Sequence, residues 1–212
     1  MRTFVYVDGF NLYNSGLKQD RSIRWLDLKA LCQSVLQPHN KIEGIRYFTA
    51  RISAEPGDLS GPNRQDVYLR ALQAHTPEIT VHFGQFRSNT RRRPLANPIP
   101  GQPRTVEIIE RSEKGSDVNL AVNLLHDAWS DKFDCAVILS NDSDLAEALS
   151  LVRSLNKTVG LITTAKRPTA SLSKYAHFFR HITPTNFKHS QLPDPVPDAN
   201  KGSSIRKPEK WA

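Results

Sequence analysis

The sequence predicts a three-layer α/β sandwich, a mainly parallel sheet flanked by helices, and three observations carry that prediction. Short β-branched and aromatic runs alternate with stretches of helical periodicity, the pattern of successive βα units joined by right-handed crossovers. Two of the strand-like runs stop abruptly at an acid among small or polar residues, Val7-Asp8-Gly9 and Leu139-Ser140-Asn141-Asp142, as buried strands do where they leave a sheet. The chain has 212 residues, 38% hydrophobic and 24% charged, enough for one core with room for extensions.

The elements follow in order. Residues 3–8 are a short apolar strand that ends in a turn at Asp8-Gly9, with a helix starting near Asn11. Leu28, Leu31, Cys32, Val35 and Leu36 recur at helical spacing over 26–36, and Pro38 ends that helix. Residues 44–52 read as the second strand, 67–75 as a helix after a Gly/Pro loop, and 79–83 as the third strand. From 87 to 104 four prolines interleave with Arg87, Arg91, Arg92, Arg93 and Arg104, the composition of an exposed basic loop inserted in the domain. A brief strand at 106–109 precedes a helix opened by Ser116-Asp117, whose Ala121, Leu124, Leu125 and Ala128 share a face. Cys135 to Leu139 is the clearest strand, and it passes through Ser140-Asn141-Asp142-Ser143-Asp144 into a helix carrying Leu145, Ala148, Leu149 and Val152. A strand at 157–162, a short helix at 172–175 and an edge strand at 178–182 complete a domain spanning 1–183; the edge strand offers a route to a homodimer. After Pro184 the periodicity vanishes among prolines, so 184–212 reads as a flexible basic tail.

Lys and Arg number 29 against 21 Asp and Glu, a net charge of +8, which makes polyanions plausible partners. No apolar run approaches the roughly 20 residues of a membrane span, and the first strand lacks the layout of a signal peptide. Cys32 and Cys135 have no CxxC or histidine spacing, so both read as buried thiols of a cytoplasmic protein. His126, His177 and His181 show no ligand spacing either.

In an open α/β sheet, functional groups collect beyond the carboxyl ends of the strands. Asp8, Asp142 and Asp144 follow two strands and Asp117 opens a crossover helix, so distant segments deliver four carboxylates to one rim. Singly each is an ordinary turn residue or helix cap. Together they repel unless cations neutralise them, and oxygen ligands of this kind suit Mg²⁺ or Mn²⁺.

The runs "VDGFNLY", "EKGSDVNLAVNLL" and "AVILSNDSDLAEALSLVRSLNKTVGLI" together resemble NYN domains, the PIN-like nuclease group, over about residues 2–182. The resemblance implies a Rossmann-like parallel sheet, a divalent-metal site at Asp8, Asp117, Asp142 and Asp144, and Asn11 beside it as a residue that orients substrate. It implies a ribonuclease that hydrolyses phosphodiesters of RNA, or of single-stranded DNA, to 5′-phosphate and 3′-hydroxyl ends by metal activation of water. Two positions depart from the family pattern. Asn123 stands where many relatives carry aspartate, and an amide ligates metal weakly; Asn141 stands where glycine is common, a turn that asparagine tolerates. Together the two departures imply tuned or reduced activity.

Arg87, Arg91, Arg92, Arg93 and Arg104 are the candidate grip on the phosphate backbone, and Lys114 and Ser140 the candidates to touch the scissile phosphate. Phe83, Phe86 and Tyr47 fit the core better than a base-stacking surface. Two alternatives compete: a non-catalytic RNA-binding module on the same fold, and a Mg²⁺-dependent phosphatase or Toprim-like enzyme. A haloacid-dehalogenase-type phosphatase wants a second aspartate two residues after the first, where this chain has Phe10, and a Toprim site wants glutamate where Asp8 stands.

Overall fold

A computed structural model of the chain describes residues 1–199 and 201–211, with Arg111 described by its backbone alone. The predicted α/β sandwich is present. Strands β1 (Arg2–Asp8), β2 (Lys41–Thr49), β3 (Ile79–Phe83), β6 (Cys135–Leu139), β7 (Thr158–Thr163) and β8 (Phe178–His181) form one sheet in the order β3-β2-β1-β6-β7-β8. Every pairing in it is parallel. Side chains alternate across it: Val5, Val7, Val137 and Leu139 face one buried layer, and Tyr6, Ala136 and Ile138 the other. The first layer is covered by α2 (Leu28–Val35) and α3 (Gly61–His75), the second by α4 (Ser116–Trp129) and α5 (Ala146–Ser154). Two short helices, α1 (Gly9–Leu12) and α6 (Ala170–Ser173), follow β1 and β7. Cys32 and Cys135 are buried free thiols as expected, and among the described residues no helix is long and apolar enough to cross a membrane.

Two segments differ from the sequence reading. The expected basic loop is largely an antiparallel ribbon, β4 (Gln85–Pro94) paired with β5 (Thr105–Lys114), registered from Gln85↔Lys114 to Pro94↔Thr105. Prolines at its far end marked a loop, but ten cross-strand pairs hold its arms, and only 95–104 form the turn. The expected flexible tail is also replaced by structure. It holds α7 (Pro184–His189), a hairpin of β9 (Val196–Asp198) and β10 (Ser203–Ile205), and a 3₁₀ turn at Glu209–Trp211; Asn200 and Ala212 lie outside the described residues. Thr183 and Asn186 make a reciprocal capping box at the start of α7. Leu192, Val196, Ile205 and Trp211 are buried, and Trp211 packs its ring 6.5 Å from Trp25 and 6.2 Å from Tyr68. Trp25 Nε1 donates to Pro193 O at 3.0 Å. These apolar residues are widely spaced and each meets a partner far away in sequence, so local periodicity carries no trace of them.

Candidate active site

The strand order places the site. The chain lays down β1, β2 and β3 outward on one side, then returns to lay down β6, β7 and β8 on the other, so the direction of progression reverses between β1 and β6. Helices leaving these two strands go to opposite faces and open a crevice at their carboxyl ends. Asp8 ends β1, and 140–144 follow β6. A cleft of about 420 Å³ lies there, lined by Asp8, Phe10, Asn11, Asn14, Ser15, Glu113, Asp117 and Asp142.

Asp8 is 5% exposed and caps α1, its Oδ1 accepting the Asn11 N–H at 2.9 Å. Ser140, buried behind it, donates its hydroxyl to Asp8 Oδ2 at 3.0 Å and accepts the Asp142 N–H at 3.2 Å, tying the ends of β1 and β6 together. Asp142 Oδ1 in turn accepts the Asp144 N–H at 3.0 Å. Asn11 Oδ1 accepts the Asn141 N–H at 3.3 Å, and Asn141 Oδ1 accepts the Thr169 N–H at 2.8 Å, linking the loop before α6 to the rim. The tight turn after Asp8 requires glycine, because a Cβ at Gly9 would fall 2.7 Å from Phe48 O and 2.8 Å from the Tyr47 ring. Helix α4 brings Asp117 in its first turn. The far end of α4 is fixed through buried Asp127, which accepts the Tyr6 hydroxyl at 2.9 Å and pairs with Arg46 and Lys132.

The profile of the NYN domain matches residues 2–183. The chain belongs to the NYN domain family. Its similarity to 6-hydroxy-3-succinoylpyridine 3-monooxygenase HspA of Pseudomonas putida is 32% identity over all of this chain and 75% of that protein. It also resembles a crystal structure of a protein of unknown function from Vibrio parahaemolyticus, with TM-score 0.52 and 15% identity over 86% of this chain and 93% of the other, a likeness of fold alone. As an NYN domain the chain has a nuclease-like α/β fold.

The electrostatics of this NYN cleft are those of crowded acids. Burial, then the charges of Asp8, Asp142, Glu113 and Asp144, push the Asp117 carboxyl up to about 6. Burial likewise raises Asp8, against the hydrogen bonds from Asn11 and Ser140. The NYN family implies a divalent cation, and the donors fit one in kind: carboxylate oxygens whose repulsion a hard cation relieves. Among the described residues, no three carboxylate, imidazole or thiolate groups converge to enclose a cation unaided. Mg²⁺ commonly retains several waters and binds through only one or two carboxylates, so a partial shell suits it.

Against the sequence expectations, the cleft brings together Asp8, Asn11, Asp117 and Asp142. Asp144 is exposed outside the lining, although its charge reaches Asp117. Ser140 is 1% exposed and holds Asp8 rather than facing the cleft. Asn123 does not line it either; its amide donates to Asn119 O at 2.8 Å, one turn back along α4. Lys114, Arg87, Arg91 and Arg93 line a separate groove on the ribbon, while Arg92 and Arg104 line neither. Glu113 was missed. It faces the cleft and its Oε1 accepts the Ser116 N–H at 2.9 Å across Gly115, whose φ of +92° suits glycine. An acid two residues before a glycine at a helix start is the signal that could have found it. Phe10 and Phe86 stack at the cleft rim, centroids 6.3 Å apart and planes 15° from parallel.

Proposed function

We propose that the chain is a metal-dependent ribonuclease, with Mg²⁺ or Mn²⁺ held by Asp8, Asp117 and Asp142 and assisted by Asp144. The observation that carries this reading is that Asp8, Asp117 and Asp142 line one open, polar cleft at the switch point of the sheet, where a cation that keeps part of its water shell can bridge them. A bound cation would supply Lewis acidity, lowering the pKa of a water and offsetting charge on the phosphate. The chain's own residues do the rest. Asp8 is kept in one orientation by Ser140 and the Asn11 N–H, which fixes the carboxylate where it lines the cleft. Asn11 places a side-chain amide where it can donate to a phosphate oxygen, its carbonyl being engaged by the Asn141 N–H. The Phe10–Phe86 pair offers an aromatic edge against which a base can stack. RNA, or single-stranded DNA, fits a chain of net charge +8.

The test is cleavage of end-labelled single-stranded RNA and DNA with and without Mg²⁺ or Mn²⁺, with the ends mapped. Metal-dependent cutting to 5′-phosphate and 3′-hydroxyl ends supports the proposal; cutting that survives chelation sinks it. The similarity to the Pseudomonas putida protein, over all of this chain and 75% of that one, favours a second reading, oxygenation of a hydroxypyridine ring. A succinoyl group of that kind carries a carboxylate, which a cleft lined by four acids repels unless a cation bridges them. Turnover of 6-hydroxy-3-succinoylpyridine with dioxygen and a two-electron reductant, in the absence of RNA cleavage, would select that reading.

A further inference from the structure

The ribbon β4–β5 has two faces of different chemistry. At its root the cross-strand pair Phe86 and Glu113 turns toward the cleft, Phe86 stacking on Phe10 and Glu113 lining the acid site. Successive side chains on a strand point to opposite faces. Arg87, Asn89, Arg91 and Arg93, with cross-strand Lys114, Ser112 and Glu110, therefore share the other face, where they line a groove of about 460 Å³. Four cations face one carboxylate there, Glu110, which pairs with Arg91 at 2.9 Å and Arg93 at 2.6 Å. Those pairs pre-orient two guanidinium groups without cancelling the face: Arg87 and Lys114 make no ion pair with it, and the net charge stays positive. Asn89 and Ser112 add neutral hydrogen-bonding groups between the charges.

We propose that this basic face is an exosite for the same nucleic acid, engaging the strand beyond the cleft. The inference rests on the nuclease reading of the acid site. From Arg87 to Arg93 the ribbon advances six residues, about 20 Å at roughly 3.3 Å per residue. At about 3.4 Å per stacked nucleotide that spans roughly six nucleotides. The strand leaves the cleft at the ribbon root, passes its edge and lies along the arginines. A substrate too short to reach the groove gains nothing from it. The chain thus discriminates by length, with no base-specific contact required, because guanidinium–phosphate contacts position a strand without reading its sequence.

The experiment compares an 8-nucleotide and a 24-nucleotide single-stranded RNA sharing one cleavage site, and a DNA 24-mer, in cleavage and in fluorescence-anisotropy binding. Wild type is compared with Arg87→Ala/Arg91→Ala/Arg93→Ala and, separately, with Glu110→Gln. For the wild type we expect the 24-mer to be bound at least tenfold more tightly than the 8-mer. The triple variant should bring that ratio toward one and flatten the salt dependence of 24-mer binding by about two in log–log slope, at roughly 0.7 per single-strand phosphate contact. Glu110→Gln should tighten the 24-mer severalfold. A triple variant that weakens both lengths equally, or neither, overturns the exosite. If no RNA is cut but the 24-mer still shows the arginine-dependent advantage, the groove stands and the nuclease reading of the cleft fails.

Discussion

Replacing Asp117 by asparagine should make the metal-free protein more stable at neutral pH. The Asp117 carboxyl sits at about 6 in the folded chain against 3.8 for a free aspartate, first through burial and then through the charges of Asp8 and Asp142. A shift of about two units corresponds to roughly 3 kcal/mol between the charged and neutral forms. Asp117 keeps part of its contact with water, which screens the interaction and reduces that figure to about 1.5 kcal/mol. An asparagine in the first turn of α4 forfeits attraction to the helix dipole, about 0.5 kcal/mol, leaving about 1 kcal/mol in favour of the variant. The pH dependence follows from the sign. Because the folded pKa is raised, the folded chain holds this proton more tightly, and the resulting stability is fully present below about 4 and lost as pH rises to about 6. Wild type and variant should therefore melt together near pH 4. At pH 7.5 with chelator the variant should melt about 2–4 °C higher, the shift roughly 1 kcal/mol produces in a domain of this size. Adding Mg²⁺ should raise the wild type and leave the variant nearly unmoved. A variant that melts lower than wild type at pH 7.5, in chelator, refutes the view that uncompensated repulsion strains this cleft.

Two further outcomes test how the site is held. Gly9→Ala drives a Cβ into Phe48 O and the Tyr47 ring and should cost about 1–3 kcal/mol, read as a lower urea midpoint at unchanged slope; an unchanged midpoint means the turn after β1 is slacker than described. Trp211→Ala uncovers Trp25 and Tyr68 and should cost about 3 kcal/mol or more, and full stability of this variant would return the tail to a passive role.

What the sequence made legible has a common physical character. The central strands β1, β6 and β7 carry their signal locally, as apolar runs buried on both faces, and the acids that follow β1 and β6 are legible because a strand end is a local event. That Asp8 and Asp142 share a cleft follows from the strand order, which the alternation of elements constrains. What was not legible depends on contacts between distant residues. The ribbon's two faces emerge only from the Phe86↔Glu113 register, which sends Glu113 into the cleft and Lys114 away from it although they are neighbours in sequence. Arg91, Arg92 and Arg93 look like one basic cluster in the sequence, but pleating separates Arg92 from the other two. The tail hides for a similar reason, since Val196 and Trp211 are each buried against residues far earlier in the chain.

The most direct measurement is the rate of cleavage of a labelled single-stranded RNA in Mg²⁺ or Mn²⁺ by the wild type, Asp8→Asn and Asp142→Asn, each confirmed folded by its melting curve. The metal-site account predicts that both asparagine variants lose at least a hundredfold in rate while still binding the RNA. Equal cutting by all three proteins would contradict it.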